Sequence, residues 1–486
     1  MRSIEHAPLI LILAALVLVP IIEGVARKLG GAGIRGASDF VQHFTLLVSV
    51  LGGDIAAREA RLLTLSSLPN LFKGIWKPAA LIFSGAVAAA ISAVLAWAAW
   101  RWFSTQPAEA KIAYGIPKRA FQVLLPVGYG LVALRLWWHS AANWRGRGVS
   151  LALTAGLVAL GYFTPIDPAK LVWPAMGALA VATVLGAPIF VTLGGAAMLL
   201  FWPEGQVALL PLEHYDLATN PVLPSLPLFT LAGYFLAEGG ASRRLVRVFD
   251  SLFGQFRGGP AIVTVVVCAF FTSFTGASGV TILALGPLLM PVLMQAKYSE
   301  RSALGLVTGA GSLGLLFPPC LPLILYAVIA QRTLANLELP AGLPSPEVTI
   351  NQLFLAGLGP GMLLLVLTAV WATLAGPRGA AAGRSFQWRE ARAAVWDAKW
   401  ELLVPVVALG ALLSGLATTV EAAALAALYA FLTQTVLHRD LSFRKDVPRA
   451  MVECGLIIGG VLLILGVAMG LTQFLLIYLF HLERSY

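Results

Sequence analysis

Long apolar runs separated by short polar connectors organise the chain. They fall at about 7–26, 39–56, 78–103, 117–139, 149–164, 171–184, 186–202, 223–238, 260–275, 279–296, 302–316, 319–331, 353–375, 400–416, 419–437 and 453–480. A helix needs about 20 apolar residues to cross a bilayer. The longer runs therefore predict spanning helices and the shorter ones half-length or interrupted helices. Two intervening stretches mix basic and apolar positions. They are Ala56 to Lys77 (Arg58, Arg61, Lys73 and Lys77 among leucines) and Ala241 to Arg257 (Arg243, Arg244 and Arg247 among Leu245, Val246, Val248, Phe249, Leu252 and Phe253). Both patterns predict helices lying along the membrane interface.

Two apolar runs are broken in their interiors, at 271–280 (FTSFTGASGV) and at 309–319 (GAGSLGLLFPP). A lipid-exposed helix cannot leave backbone groups unpaired, so such breaks are tolerated only where they are buried in protein or line a cavity. Interrupted helices of this kind present free helix ends to substrate and ions in secondary transporters. In the first break, Thr272, Ser273, Thr275, Gly276, Ala277, Ser278, Gly279 and Thr281 place hydroxyls and small residues in an apolar hairpin. Freed carbonyls and hydroxyls are hard oxygen ligands for a small cation; the competing reading is close helix packing on small residues. In the second break, Thr308, Gly309, Gly311, Ser312 and Gly314 lead into Pro318 and Pro319. Continuous helix cannot pass through the proline pair. A helix restarting there points its N–H groups back into the membrane, where they suit an anion such as a carboxylate; the competing reading is a packing kink.

Composition agrees with a membrane protein: of 486 residues, 59% are hydrophobic and 12% charged. The net charge of +10 resides mainly in connectors, the pattern of cytoplasmic loops and not of a nucleic-acid surface. The connectors at 376–399 and 438–449 are the most basic and are expected on the cytoplasmic side. Cys268, Cys320 and Cys454 sit in apolar segments without metal-like spacing. The N-terminal run to Ile22 lacks a clear small-residue cleavage site and reads as a first membrane helix, with a signal peptide as the alternative. Arg135 is expected to snorkel to the surface beside Trp137, Trp138 and Trp144, and Asp54 and Glu238 to be interfacial. A membrane enzyme would need acids, bases or metal ligands clustered at one depth. Glu421, Asp54, His43 and His139 are isolated in sequence, and no GxxxxGK[ST] loop supports an ATP-driven pump.

The runs 276–291 (GASGVTILALGPLLMP) and 298–309 (YSERSALGLVTG), the Pro318–Pro319 break with Tyr326, and the segments 226–240 (LPLFTLAGYFLAEGG) and 414–424 (SGLATTVEAAA) resemble the large membrane subunit of TRAP (tripartite ATP-independent periplasmic) transporters. The resemblance covers about 170–480, and residues 1–148 resemble the family's four-helix small subunit fused in front. It implies an all-α polytopic fold: an elevator-type carrier of inverted repeats with re-entrant hairpins in the bacterial inner membrane. It further implies Na+ as coupling ion, no other cofactor, a periplasmic substrate-binding protein as partner and an organic acid as substrate. On this basis 149–375 is the first repeat, 376–399 a basic linker and 400–486 the start of a second repeat. The substrate and ion site would comprise Thr275, Gly276, Ala277, Ser278, Gly279, Ser312, Gly314, Pro318, Pro319 and Glu421, with Gly276, Ser278, Ser312 and Gly314 toward Na+. Glu421 is an intramembrane acid and hence a functional candidate; its competing reading is a buried acid bonded to neighbouring helix ends. The family usually has proline where Thr419 stands.

An inverted-repeat carrier shows its break twice. The first repeat starts near Gly186 and the second near Gly415, which would put a second proline pair at position ~547. The sequence given ends at Tyr486, so a truncated chain is expected. Two other functions remain open: an elevator carrier of dicarboxylates or ions without a binding protein, and a non-transporting scaffold.

Overall fold

The computed structural model describes residues 2–31, 33–66, 68, 71–74, 76–163, 167–256, 258–335, 348–377 and 386–483. These residues are overwhelmingly helical, and the only β contacts among them are the isolated bridges Thr64–Pro188 and Lys111–Pro117. Nine helices among the described residues are long and apolar enough to cross a membrane. The all-α, multi-pass character read from the apolar runs is thus the architecture found. The helices group into two compact units, one of residues 1–12, 35–220 and 455–486, the other of 13–34 and 221–454.

The first unit is centred on Trp76–Thr105, which packs along Leu124–His139 and Trp144–Phe163. Its core joins Leu46, Val87, Ile91, Leu95, Tyr129, Phe190, Phe201 and Val467. Small residues permit the closest approach. A Cβ on Gly52 of Ala37–Arg58 would run into the Gly455 carbonyl, and one on Gly459 would meet the Gly52–Gly53 backbone. Buried polar groups cross-link the same helices. His214 Nε2 lies 3.1 Å from Ser49 Oγ and its Nδ1 2.7 Å from Tyr129 Oη. His43 is held between the Asp39 carbonyl (2.6 Å) and Tyr215 Oη (3.0 Å), so it is not isolated in the fold.

Asp54, expected at the interface, is buried in protein, and Arg135 turns to it and not to the surface. Its Nε lies 2.9 Å from Asp54 Oδ1 and its Nη2 3.1 Å from Glu5 Oε2, which also receives Arg58 at 2.5 Å. Charges inside an apolar bundle are stabilised by pairing with each other. The stretch from Ala56 to Lys77 does not form an interfacial helix either. The helix ends at Arg58, and no α-helix occurs among the described residues 59–74. There Ser66 Oγ accepts from the Leu68 N–H, a local turn that competes with helix. The Leu63 carbonyl meanwhile takes the Ile189 N–H at 2.8 Å.

In the second unit, Ser225–Glu238 packs against Thr419–Leu432 and against Gly259–Thr275, and Ile350–Ala375 packs behind the latter. The amphipathic helix expected around 241–257 is present as Ala241–Phe253. It packs on Trp388–Asp397, a ten-residue helix inside the segment read as a linker, through Val248, Ala394 and Ala398. Residues 378–385 of that segment lie outside the described residues. A buried ion-pair network ties Ala241–Phe253 to Lys399–Leu413: Arg244 Nε donates to Glu401 Oε1 at 2.7 Å, and Arg244 also reaches Gln434 (3.0 Å) and Asp440 (2.8 Å).

Candidate functional site

Both sequence breaks lie in the second unit, and the fold brings them together. The first helix of the hairpin, Gly259–Thr275, starts behind Gly258 (φ 83°) with Pro260 in its first turn, the position proline tolerates best. It ends at Gly276, whose φ of 63° is the left-handed conformation that lets a chain leave a helix. The Gly276 N–H donates to the Thr272 carbonyl at 2.9 Å. After one extended residue, Ala277, the second helix runs over Ser278–Gln295. The hairpin tip is therefore Gly276–Ala277, and the first N–H groups of the returning helix have no intrahelical partner.

The second break follows Glu300–Ala310. A single 3₁₀ turn, Leu313–Leu316, leads to extended Phe317 and the cis Pro318–Pro319 bond, and helix resumes at Leu321–Ala335. Cys320 Sγ lies 2.9 Å from the Leu315 carbonyl and closes the turn from inside.

Three contacts join the breaks. Thr272 Oγ1 donates to the Gly311 carbonyl at 2.8 Å. A Cβ on Gly314 would collide with the Ala269 carbonyl, Thr272 Cβ and the Ser273 nitrogen, so only glycine lets this turn sit on the first hairpin helix. A Cβ on Gly276 would collide with the Leu321 side chain at the start of the resumed helix. Neighbouring helices support both breaks from behind. Gly233 abuts the Phe274–Thr275 backbone, and Gly357 and Gly361 abut the Leu316 carbonyl and the Phe317 ring.

Of the residues expected in the site, Thr275, Gly314, Pro318 and Pro319 are buried, Gly276, Ala277 and Ser278 are half-buried, and Gly279 and Ser312 are exposed. Thr275 belongs to a buried hydroxyl cluster with Thr272 and Thr281, whose residue types were visible in the first break but whose convergence was not. Thr281 Oγ1 lies 2.9 Å from Thr272 Oγ1 and 3.0 Å from Thr275 Oγ1. Carbonyl and hydroxyl oxygens at two interrupted helices make an arrangement suited to a hard monovalent cation, while free helix N-termini suit an anion.

Glu421 bonds to neighbouring helix ends. Its Oε2 accepts from the Thr418 N–H at 2.8 Å while Thr418 Oγ1 accepts from the Glu421 N–H at 3.3 Å, a reciprocal cap at the start of Thr419–Leu432. Its Oε1 receives Arg27 at 2.7 Å. Both carboxylate oxygens therefore have protein partners, as the helix-end reading required. The other unit holds an apolar cavity of about 360 Å³, lined by residues including Ile91, Trp97, Leu157, Leu179, Trp202 and Arg101. It contains none of the break residues.

The sequence matches known proteins. The sequence profile of the tripartite ATP-independent periplasmic transporter DctM component matches residues 176–481. The chain belongs to the TRAP transporter family. The profile of the DctQ component matches residues 16–146, so TRAP sequences of both membrane components lie in one polypeptide. The isethionate TRAP transporter permease protein DctMQ of Oleidesulfovibrio alaskensis is 32% identical over 354 residues, covering 70% of this chain and 51% of that protein. The C4-dicarboxylate TRAP transporter large permease protein DctM of Rhodobacter capsulatus is 30% identical over 284 residues, 57% of this chain and 63% of that protein. The 2,3-diketo-L-gulonate TRAP transporter large permease protein YiaN of Escherichia coli K12 is 30% identical over 275 residues, 55% of this chain and 60% of that protein. The chain thus spans between 51% and 63% of the length of these relatives.

Proposed function

We propose that this chain is membrane permease of a secondary transporter that imports an organic acid across the bacterial inner membrane, driven by Na+ and supplied by a periplasmic substrate-binding protein. The observation that carries the reading is the meeting of the two breaks, joined by the Thr272 bond to the Gly311 carbonyl and by the close contacts of Gly276 with Leu321 and of Gly314 with Thr272. Na+ suits oxygen donors without a fixed negative charge, and a carboxylate suits the helix N-termini that open at Ser278 and Leu321. The relatives are named for isethionate, C4-dicarboxylates and 2,3-diketo-L-gulonate, so a small organic anion is the substrate class.

On this reading the hairpin is re-entrant and moves with its substrate, as in an elevator. The test is uptake into proteoliposomes of labelled C4-dicarboxylate and isethionate, with the binding protein added outside and the Na+ gradient set or abolished. Uptake needing both the inward Na+ gradient and the binding protein is the expected result. Gradient-driven uptake indifferent to the binding protein would instead favour a carrier that works without one. The absence of any Na+-dependent uptake would contradict the reading.

A further inference from the structure

Threonines in the apolar helices of this protein have a default partner, the carbonyl one turn back. Thr264 donates to Pro260 (2.8 Å), Thr308 to Leu304 (2.7 Å), Thr373 to Ala369 (2.7 Å) and Thr433 to Tyr429 (2.8 Å). That bond satisfies a hydroxyl in an apolar setting without committing it to another segment. Thr272 and Thr281 depart from this pattern. Both are fully buried, and their hydroxyls face each other across the hairpin at 2.9 Å. Thr281 also meets Thr275, at the last helical position before the tip, at 3.0 Å. Thr272 reaches the Gly311 carbonyl, one residue before Ser312, at 2.8 Å.

Four oxygens thus join three backbone segments: the end of the first hairpin helix, the first turn of the second, and the entrance of the second break. A buried hydroxyl that loses its partner is left unsatisfied, which disfavours any rearrangement that parts them, so the cluster holds these segments in one arrangement. Backbone oxygens can bind a cation only if their spacing is fixed beforehand.

We propose that Thr272 and Thr281 are positioning residues for ion binding: their hydroxyl cluster sets the distance between the hairpin tip at Gly276 and the second break at Ser312 without itself being the ion's ligand set. The inference rests on the sodium reading given under Proposed function. It predicts that the cluster acts on Na+ affinity more than on folding.

The test uses the purified 486-residue chain, equilibrium ²²Na+ binding and the melting temperature in KCl. Thr281→Val keeps the shape and removes the hydroxyl; Thr281→Ser keeps the hydroxyl. The expected result is an apparent Na+ dissociation constant at least ten-fold higher for Thr281→Val and for Thr272→Val, within two-fold of the unaltered protein for Thr281→Ser, with all variants folded in KCl. Unchanged Na+ affinity in both valine variants would overturn the proposal, as would a serine variant as weak as the valine one. Failure of both valine variants to fold in KCl would also overturn it, since the cluster would then serve stability alone. An unaltered protein that binds no Na+ fails the sodium reading itself, and is seen before any variant is compared.

Discussion

At the scale of single residues, buried charges find partners within the fold. The two carboxylate oxygens of Glu421 are taken by Thr418 and Arg27. Loss of a helix cap costs about 0.5–2 kcal/mol. Thr418→Ala and Glu421→Gln should therefore lower the melting temperature while leaving ²²Na+ binding within two-fold. A Glu421→Gln variant that melts normally but no longer binds Na+ would return this residue to the ion site. Asp54 and Arg135 make a second structural pair at 2.9 Å. Leaving one charge of a buried pair without its partner costs about 3–5 kcal/mol. Arg135→Met alone should therefore destabilise strongly, and Arg135→Met with Asp54→Asn should recover part of the loss in a double-variant cycle. The residue types of these pairs were plain in the sequence, but their partners were not. Asp54 and Arg135 are separated by 81 positions, and Arg27 and Glu421 by 394. Side-chain pairing over such distances leaves no periodic trace, so each acid and base read as solitary or interfacial. His214, bonded to Ser49 and Tyr129, escaped notice for the same reason.

At the scale of elements, glycine placement decides what the two breaks tolerate. Gly276 has a positive φ and faces Leu321, and Gly314 is pressed on the Ala269 carbonyl, whereas a Cβ on Gly279 meets nothing within 4 Å. Crowding a packed interior costs about 1–3 kcal/mol. Gly276→Ala and Gly314→Ala should each lower the melting temperature by several degrees, and Gly279→Ala should leave it unchanged. Equal effects at all three positions would show that the breaks do not pack as described. These elements were the most legible part of the chain. Glycine followed by a hydroxyl-rich turn marked the hairpin tip, and the proline pair marked the end of the 3₁₀ turn, because both act locally on the backbone. Less legible was 388–397, where Trp388, Arg389, Arg392 and Trp396 read as a polar linker. Its few apolar contacts, Ala391 and Ala394, are too small to raise a periodic signal, and the helix is anchored by Ala241–Phe253 packed against it. The region after Arg58 failed in the opposite sense. Basic and leucine positions there imitate an amphipathic helix, but the Ser66 turn and the bond from Ile189 to Leu63 hold it in an irregular form.

At the scale of the whole molecule, the apolar runs pointed to the class of protein, and the motifs around the breaks resembled the family that the comparisons show and implied that the two breaks share a site; the contacts that join them came from the three-dimensional structure. Each compact unit has its own device for close helix approach. In the first unit it is the glycine contact of Gly52 with Gly455 and Gly459, and Gly459→Leu should prevent a stable fold as judged by size-exclusion chromatography in detergent. In the second it is the glycine and threonine framework under the hairpin. The central claim is that this framework holds in shape a cation site of uncharged oxygens. Its most direct test is equilibrium binding of ²²Na+ to the purified 486-residue chain in KCl-balanced buffer, with Gly276→Leu alongside. The account predicts saturable binding that excess unlabelled Na+ displaces and K+ does not, and that Gly276→Leu abolishes. Binding that never saturates, or that survives unchanged in Gly276→Leu, would contradict it.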